Sequence, residues 1–134
     1  SKHYQCQVAK ADGWEVEWLD PHGIWVAARY PIFAHDSEYR IVPDENGWLP
    51  WYATDLSYSP DIEADVMLDI IYNNGRIADP QPKGDVPWRR PIDDRSGVKF
   101  AAFYRVCKER KISKIVTYYT DMSIETVWSD KTEE

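Results

Sequence analysis

The chain has 134 residues, of which 23 are acidic and 16 basic, and 43% are hydrophobic, with 7 Trp and 9 Tyr among them. A chain of this length buries enough surface to form a single domain over residues 1–134 without a disulfide or a metal, and its aromatic content excludes a disordered chain. No run of about 18 apolar residues occurs, and residues 1–4 lack the apolar core of a signal peptide. The sequence therefore predicts a cytosolic protein with no membrane span.

The net charge of −7 bears on the class of partner. It opposes long-range attraction to DNA or RNA, so no direct nucleic-acid binding is expected. The acidic excess is interrupted at residues 101–114, where five basic side chains accompany one acidic side chain. This stretch is either a solvated loop or a small anion-binding patch.

The two cysteines, Cys6 and Cys107, and the three histidines lack the close spacing of zinc ligands, so no metal and no cofactor are predicted. Each cysteine lies in a run of alternating apolar residues. This pattern favours two reduced, buried thiols. A disulfide between them is the alternative if the terminal strands are neighbours.

The first half of the chain alternates with period two and is rich in β-branched and aromatic residues, a pattern typical of strands. We predict a strand at His3–Ala9, ended by an Asp12-Gly13 turn. Residues 14–29 are predicted to form a hairpin around the turn at residues 21–23, and Glu38–Val42 a further short strand. Residues 43–60 are predicted to be an aromatic, loop-rich segment.

The second half repeats this plan. Asp65–Tyr72 is the strongest strand signal, and the Asn-Asn-Gly sequence at 73–75 predicts a tight turn because these residues tolerate a positive φ. The proline-rich stretch Pro80–Gly97 is not expected to contain a central strand. Val98–Val106 is predicted to be a strand, and residues 113–129 a C-terminal β-hairpin.

Together these elements predict a mainly β domain with little helix, built from small antiparallel sheets or from a sandwich-like or barrel-like arrangement. Residues 12–45 and 61–108 share an order of alternating strand, tight turn, short return strand, irregular segment and then Tyr-Arg-aliphatic. This order suggests two pseudo-repeated halves, although a period that occurs only twice does not indicate a solenoid.

The segments GWLPWYATDLSYSPDIEADVMLDIIYNNG, DVPWRRP and FAAFYRVC resemble short modules of small uncharacterised bacteriophage proteins. The segments WEVEWLDPHGIWV and EYRIVPDE are similar to a companion phage module. The two resemblances cover residues 12–107. They imply a phage or prophage origin, action in the host bacterial cytosol and an accessory role toward the host.

Candidate binding residues come first from the loop at residues 48–58. Trp48, Trp51 and Tyr52 belong to the residue types that dominate interface hot spots, and a loop does not need them for its own structure. They are predicted either to anchor a partner protein or to cover the open end of a small β-core.

A second candidate is Trp88-Arg89-Arg90, which lies between two prolines. Arg suits phosphates and carboxylates, and an adjacent Trp can stack on a base. The alternative places Trp88 in the core and pairs the two arginines with Asp85, Asp93 and Asp94.

Arg105, the third candidate, occupies the same place in its half as Arg40 does in the other, since both follow a Tyr and precede an aliphatic residue. On alternating strands the two arginines are predicted either to face away from the apolar side or to lie between the sheets with a carboxylate partner, and a structural Tyr-Arg pair is favoured over a ligand contact.

No nucleophile elbow, glycine-rich phosphate loop or matched carboxylate pair is present in the sequence, so no catalytic residue and no enzymatic activity are predicted. The favoured interpretation is a phage accessory protein that binds a host protein through aromatic anchors and an acidic surface. Sequestration of a small nucleotide and a structural role in the virion are the alternatives. The oligomeric state is left open.

Overall fold

A computed structural model describes residues 2–92 and 97–107, which form two antiparallel β-sheets and one α-helix. Sheet A contains β1 (Val16–Leu19), β2 (Trp25–Ala27) and β3 (Tyr39–Ile41) in the order β2-β1-β3. The predicted hairpin over residues 14–29 and the predicted strand Glu38–Val42 are thereby confirmed. Both β2 and β3 lie at an edge of this sheet.

Sheet B contains β4 (Leu49–Pro50), β5 (Met67–Tyr72), β6 (Gln81–Pro82) and β7 (Ala101–Val106) in the order β4-β7-β5-β6. The longest strand signals of the sequence, Asp65–Tyr72 and Val98–Val106, are the two central strands. The only strand described within 80–97 is β6, which lies at the edge of the sheet. Its proline therefore does not remove a hydrogen bond between central strands. The fold is therefore mainly β, as predicted, and the two sheets do not close into a barrel.

The predicted strand at His3–Ala9 is wrong, because this segment is the helix α1 (Tyr4–Ala11). The Asp-Gly pair that reads as a hairpin turn ends the helix instead: Gly13 has φ +98° and donates its N–H to the carbonyl oxygen of Lys10 at 3.2 Å. A glycine with positive φ is as typical of a helix C-terminus as of a hairpin. Eight residues of mixed pattern do not distinguish the two, and tertiary packing on β1 and β3, with Ala9 fully buried, decides for the helix.

Two tight turns follow the sequence signals closely. Asp20 Oδ1 accepts hydrogen bonds from the backbone N–H groups of His22 and Ile24, which closes the turn between β1 and β2. Gly75 adopts φ +86° in the Asn-Asn-Gly turn, after which Ile77 forms an isolated bridge with Ile71. Each half therefore has a return segment on one side of its first strand and the Tyr-Arg strand on the other. This shared order is what a duplication would produce, and the repeat stays a prediction.

The core lies against one face of sheet B. Leu68, Ile70 and Ala101 are fully buried there, and they pack against segments that flank the strands, namely Trp51, Val86 and Trp88. Helix α1 connects this half to the first, since Gln5 exchanges two hydrogen bonds with the backbone of Tyr52, at 2.8 and 2.9 Å. The predicted hairpin over 113–129 lies outside the described residues.

Candidate binding site

Arg105 is the centre of a polar cluster on sheet B. It stands on β7 directly opposite Asp69 on β5, and its Nε donates to Asp69 Oδ2 at 2.8 Å. A second nitrogen, Nη1, donates to the carbonyl oxygen of Asn46 at 2.9 Å. The guanidinium carbon lies 4.3 Å from the centre of the Trp48 ring. Three neighbours thus fix the guanidinium, and Asp69 offsets its charge.

Sheet A contains the same combination. Arg40 on β3 faces Glu17 on β1, with Nη2 and Oε1 2.8 Å apart, and its guanidinium carbon lies 4.3 Å from the centre of the Trp25 ring. Of the placements left open for the two Tyr-Arg arginines, the contacts of both agree with the one that includes a carboxylate partner. These pairs explain why a Tyr-Arg-aliphatic strand recurs, because each arginine links two neighbouring strands.

An open groove of about 1130 Å³ lies beside Arg105 at the end of sheet B; we call it the Arg105 groove. Its walls are mainly apolar, and its charged groups come from β5, from β7 and from the segment at 60–62. The lining consists of Asn46, Gly47, Leu49, Pro60, Asp61, Ile62, Met67, Asp69, Pro80, Tyr104, Arg105, Val106 and Cys107. Four of these residues also line a neighbouring cleft of about 700 Å³ between α1, β3 and sheet B, so the groove has a continuation: Leu49, Pro60, Asp61 and Tyr104.

Two apolar side chains of the groove are exposed although they lie on central strands. Met67 is 43% exposed and Val106 54% exposed. Apolar wall residues beside a few fixed polar groups are the usual composition of a binding site. The sequence analysis did not single out either residue. The sequence contains little indication of a binding role for them, because in the DVMLD and YRVC segments they fit the apolar pattern of an ordinary strand.

Asp61 is the carboxylate of the groove whose charge is not offset. It is exposed, and no basic side chain of the described residues lies within ion-pair distance of it. Asp69 is paired with Arg105, so the described groove carries one uncompensated negative charge. This sign favours a cationic group on whatever occupies the groove.

Trp51 and Trp88, two of the predicted anchors, lie in the core. They are 8% and 7% exposed, their rings pack edge to face at 5.5 Å, and Trp51 Nε1 donates to the carbonyl oxygen of Trp88 at 2.9 Å. Trp88 Nε1 in turn donates to the carbonyl oxygen of Lys83 at 3.0 Å. With both indole N–H groups satisfied inside the protein, these residues have the core-covering role that the sequence left open as the alternative.

Tyr52 belongs to the contact between α1 and the second half. Its hydroxyl donates to Asp12 Oδ2 at 2.7 Å, and partial burial together with this carboxylate raises its pKa above the usual value. Trp48 is half-buried and stacks on Arg105, as described above. Of the three candidates in the 48–58 loop, only Trp48 therefore borders the Arg105 groove, through the residue on which it stacks.

Arg89 and Arg90 are both exposed and lie along the loop at residues 54–55. Arg89 Nε donates to the carbonyl oxygen of Asp55 at 2.6 Å, and the backbone N–H of Arg90 donates to the carbonyl oxygen of Thr54 at 2.7 Å. Neither lines the Arg105 groove. Of the carboxylates proposed to pair with them, Asp93 and Asp94 lie outside the described residues.

Both cysteines are free thiols, as favoured over a disulfide, but each is partly exposed and not buried as expected. Burial raises the pKa of Cys6. The pKa of Cys107 is raised by burial, by a 3.4 Å hydrogen bond from its Sγ to Asp69 Oδ1 and by the charge of that carboxylate, while Arg105 lowers it in part. The raised pKa favours the protonated form of both thiols, which is the weaker nucleophile.

We expect Asp69→Asn to accelerate alkylation of Cys107 by iodoacetamide at pH 8 roughly three- to tenfold, because the thiol loses the negative charge that raises its pKa. Peptide mass spectrometry of timed samples measures the rate at each cysteine. Cys6 serves as the internal control, since Asp69 does not contribute to its pKa. Equal acceleration at both cysteines would indicate general opening of the fold instead.

The raised pKa of Tyr104 predicts that the fold loses stability at alkaline pH. Burial, with a smaller contribution from Cys6, raises its pKa from 10 to about 12. The folded state therefore favours the protonated form of Tyr104. The contribution of this residue to the free energy of unfolding is complete below pH 10 and is lost as the pH rises to 12. We expect wild type to lose roughly 2 kcal/mol more than Tyr104→Phe over this interval. Urea unfolding at stepped pH measures the difference, and Tyr30→Phe, at an exposed position, should follow the wild-type profile.

The chain was compared with known proteins, and no protein-family model, curated protein or solved structure matches it significantly. Within residues 2–92 and 97–107, no group of three or more His, Cys, Asp or Glu side chains is arranged to hold a metal ion. The helix in that part of the chain is too short and too polar to cross a membrane. The class that the described features define is accordingly only a mainly β domain with an open groove.

Proposed function

We propose that the protein is a non-enzymatic binding protein that takes up an extended segment of a partner protein in the Arg105 groove. The observation that carries this proposal is the exposure of Met67 and Val106 in one open groove, beside a carboxylate, Asp61, that no basic side chain of the described residues offsets. Apolar contacts supply most of the affinity at such a site, and the charge selects the partner.

The chemistry of the lining selects a partner segment with apolar and basic side chains. Apolar side chains of the segment would contact Met67 and Val106, and a Lys or Arg beside them would lie near Asp61. An anionic ligand is disfavoured in the same groove, because the Asp69 carboxylate already offsets the charge of Arg105, whose Nε and Nη1 donate to Asp69 and Asn46. The net charge of −7 acts in the same direction at longer range.

The biological setting follows from the resemblance described above. A small phage-encoded or prophage-encoded protein that acts in the host bacterial cytosol would use such a groove to engage a host protein. The role is then accessory, in host takeover or counter-defence, and the acidic surface contributes to partner choice.

A nucleotide-type ligand is the second candidate, supported by the two adjacent exposed guanidinium groups of Arg89 and Arg90. The Arg89 side chain donates through Nε to the carbonyl oxygen of Asp55, and the backbone N–H of Arg90 donates to that of Thr54, so a phosphate could bridge the two arginines with little reordering. Trp88 lies in the core and does not supply the stacking surface that this candidate requires, which makes it the weaker of the two.

A peptide titration tests the proposal. Three fluorescein-labelled peptides of about ten residues are compared by anisotropy: alternating Lys and Leu, alternating Glu and Leu, and alternating Lys and Ser. We expect the Lys-Leu peptide to bind at least tenfold more tightly than either of the others, a difference of about 1.4 kcal/mol. Equal binding of the Lys-Ser peptide would indicate charge attraction alone, and tighter binding of the Glu-Leu peptide would contradict the proposal. A parallel titration with ATP tests the second candidate.

A further inference from the structure

The Arg105 groove lies where the chain leaves sheet B. The strand β7 ends at Val106, and the backbone N–H of the next residue, Cys107, donates to the carbonyl oxygen of Met67 at 3.0 Å. All three of these residues line the groove. The part of the sequence that begins at residue 108 therefore starts at the groove wall.

Residues 108–116, which we call the 108–116 segment, have the composition that the groove selects. Their sequence, Lys-Glu-Arg-Lys-Ile-Ser-Lys-Ile-Val, contains four basic side chains and one acidic side chain. Its three apolar residues, Ile112, Ile115 and Val116, are β-branched, which favours an extended conformation. The chain thus contains its own extended apolar and basic segment, directly attached to the groove.

Charge and reach agree with occupation of the groove by this segment. Within residues 2–92 and 97–107, no basic side chain offsets Asp61, and the basic side chains of the 108–116 segment have the complementary charge. The lining crosses the neighbouring strands β4, β7 and β5, a width of about 10 Å at about 4.8 Å per strand. An extended chain covers this width in three or four residues. Lys111 and Ile112 are therefore far enough along the chain to reach across it.

We propose that the 108–116 segment binds in the Arg105 groove of its own chain and competes there with the partner segment. The inference rests on the proposed function, since it assigns the regulation of the same site. The basic side chains of the segment lie near Asp61, and its isoleucines contact Met67 and Val106.

Direct attachment makes even a weak segment an effective competitor. If the separate peptide binds with a dissociation constant of about 0.2 mM, an effective concentration of about 1 mM in the intact chain weakens an added partner about sixfold. Partners that bind more weakly than the segment are excluded from the groove. The segment therefore raises the specificity of the site.

Two double variants of the full chain test the competition by anisotropy titration of the Lys-Leu peptide. The first combines Arg110→Glu with Lys111→Glu and removes the charge of the segment. The second combines Ile112→Ser with Ile115→Ser and removes its apolar contacts without a change in charge. Each variant is expected to bind the peptide at least fivefold more tightly than wild type, because the competitor is lost.

Each variant has a matched control outside the segment and outside the groove lining. Arg29→Glu with Arg76→Glu changes the net charge by the same amount as the first variant, at two exposed positions. It should tighten binding less than about twofold. Ile24→Ser with Ile77→Ser removes two exposed isoleucines and should bind as wild type does.

The outcomes separate failure of this inference from failure of the proposed function. If wild type and both segment variants bind the Lys-Leu peptide equally, and prefer it to the Lys-Ser peptide, the competition is overturned and the proposed function stands. Tightening by the charge variant alone also overturns the competition, because it shows only local repulsion of a basic peptide. If no protein prefers the Lys-Leu peptide, including both segment variants, the proposed function fails and the inference fails with it.

Occupation of the groove in the absence of peptide is measured by ¹⁵N–¹H correlation spectra of wild type and of the Ile112→Ser, Ile115→Ser variant. We expect the backbone amides of Asp61, Met67 and Val106 to differ between the two proteins, by the same amount at about 20 µM and at about 500 µM protein. Identical spectra at these amides would overturn the proposal. A difference that grows with protein concentration would overturn it as well, because the occupant would then be the segment of a second copy.

Discussion

Replacing Trp51 with alanine is expected to lower the free energy of unfolding by about 3–5 kcal/mol, the largest effect of any single truncation considered for this protein. Trp51 is 8% exposed, packs edge to face on Trp88, and lies 6.5 Å from the ring of Tyr104. The alanine variant leaves a cavity between these rings and removes the donor to the Trp88 carbonyl oxygen. Urea unfolding followed by far-UV circular dichroism measures the loss.

Two further variants separate the causes of that loss. Trp51→Phe keeps most of the ring but not the hydrogen bond, and should cost about 1–2 kcal/mol. Trp48→Ala removes a half-buried tryptophan that stacks on Arg105, and should cost about 1 kcal/mol or less. If Trp48→Ala lowers the free energy of unfolding as much as Trp51→Ala does, Trp48 belongs to the core, which contradicts its assignment to the surface beside the groove.

The second large effect is expected on binding. Asp61→Lys should weaken binding of the Lys-Leu peptide at least tenfold, because it replaces by a positive charge the one carboxylate of the groove that is not offset within residues 2–92 and 97–107. Asp36→Lys is the matched control: this exposed carboxylate lies outside the groove lining, and its reversal changes the net charge by the same amount. It should change the affinity less than about twofold. Fluorescence anisotropy titrations of the three proteins give the comparison.

The apolar part of the groove has an equivalent pair of variants. Met67→Ser removes an exposed side chain of the groove, whereas Ile77→Ser removes an exposed side chain on the Asn-Asn-Gly hairpin. Only the first should weaken the Lys-Leu peptide. If Asp61→Lys and Asp36→Lys weaken it equally, the attraction is a property of the whole acidic protein and the groove has no special role.

The sequence predicted most of the fold because its strands carry local signals. Alternation of β-branched and aromatic residues identified β1, β2, β3, β5 and β7, and the Asn-Asn-Gly turn identified the return after β5. The helix α1 escaped this reasoning because its apolar spacing over eight residues suits either period, and because Asp12-Gly13 is as good a helix end as a turn. Its packing on β1 and β3 depends on tertiary contacts that no local window contains.

The candidate site was predicted in part. The recurrence of Tyr-Arg-aliphatic led to Arg105, and the structure supplies the partner, Asp69, that the sequence analysis did not name. Aromatic residues in a loop were less informative, because a small β-core covers its open end with the same residue types that form interfaces. Burial separates the two roles, and it places Trp51 and Trp88 in the core while Trp48 borders the groove. Asp61 carried no signal because its importance depends on which neighbouring charges are offset.

The most direct test of the central claim, that the Arg105 groove binds an extended apolar and basic segment, is a ¹⁵N–¹H correlation spectrum of the protein titrated with the Lys-Leu peptide. The account predicts that the largest shifts lie at the backbone amides of Asn46, Asp61, Met67 and Val106, with the β2 edge and the 89–90 segment unchanged. Shifts centred on Arg89 and Arg90, or spread evenly over the acidic surface, would contradict it.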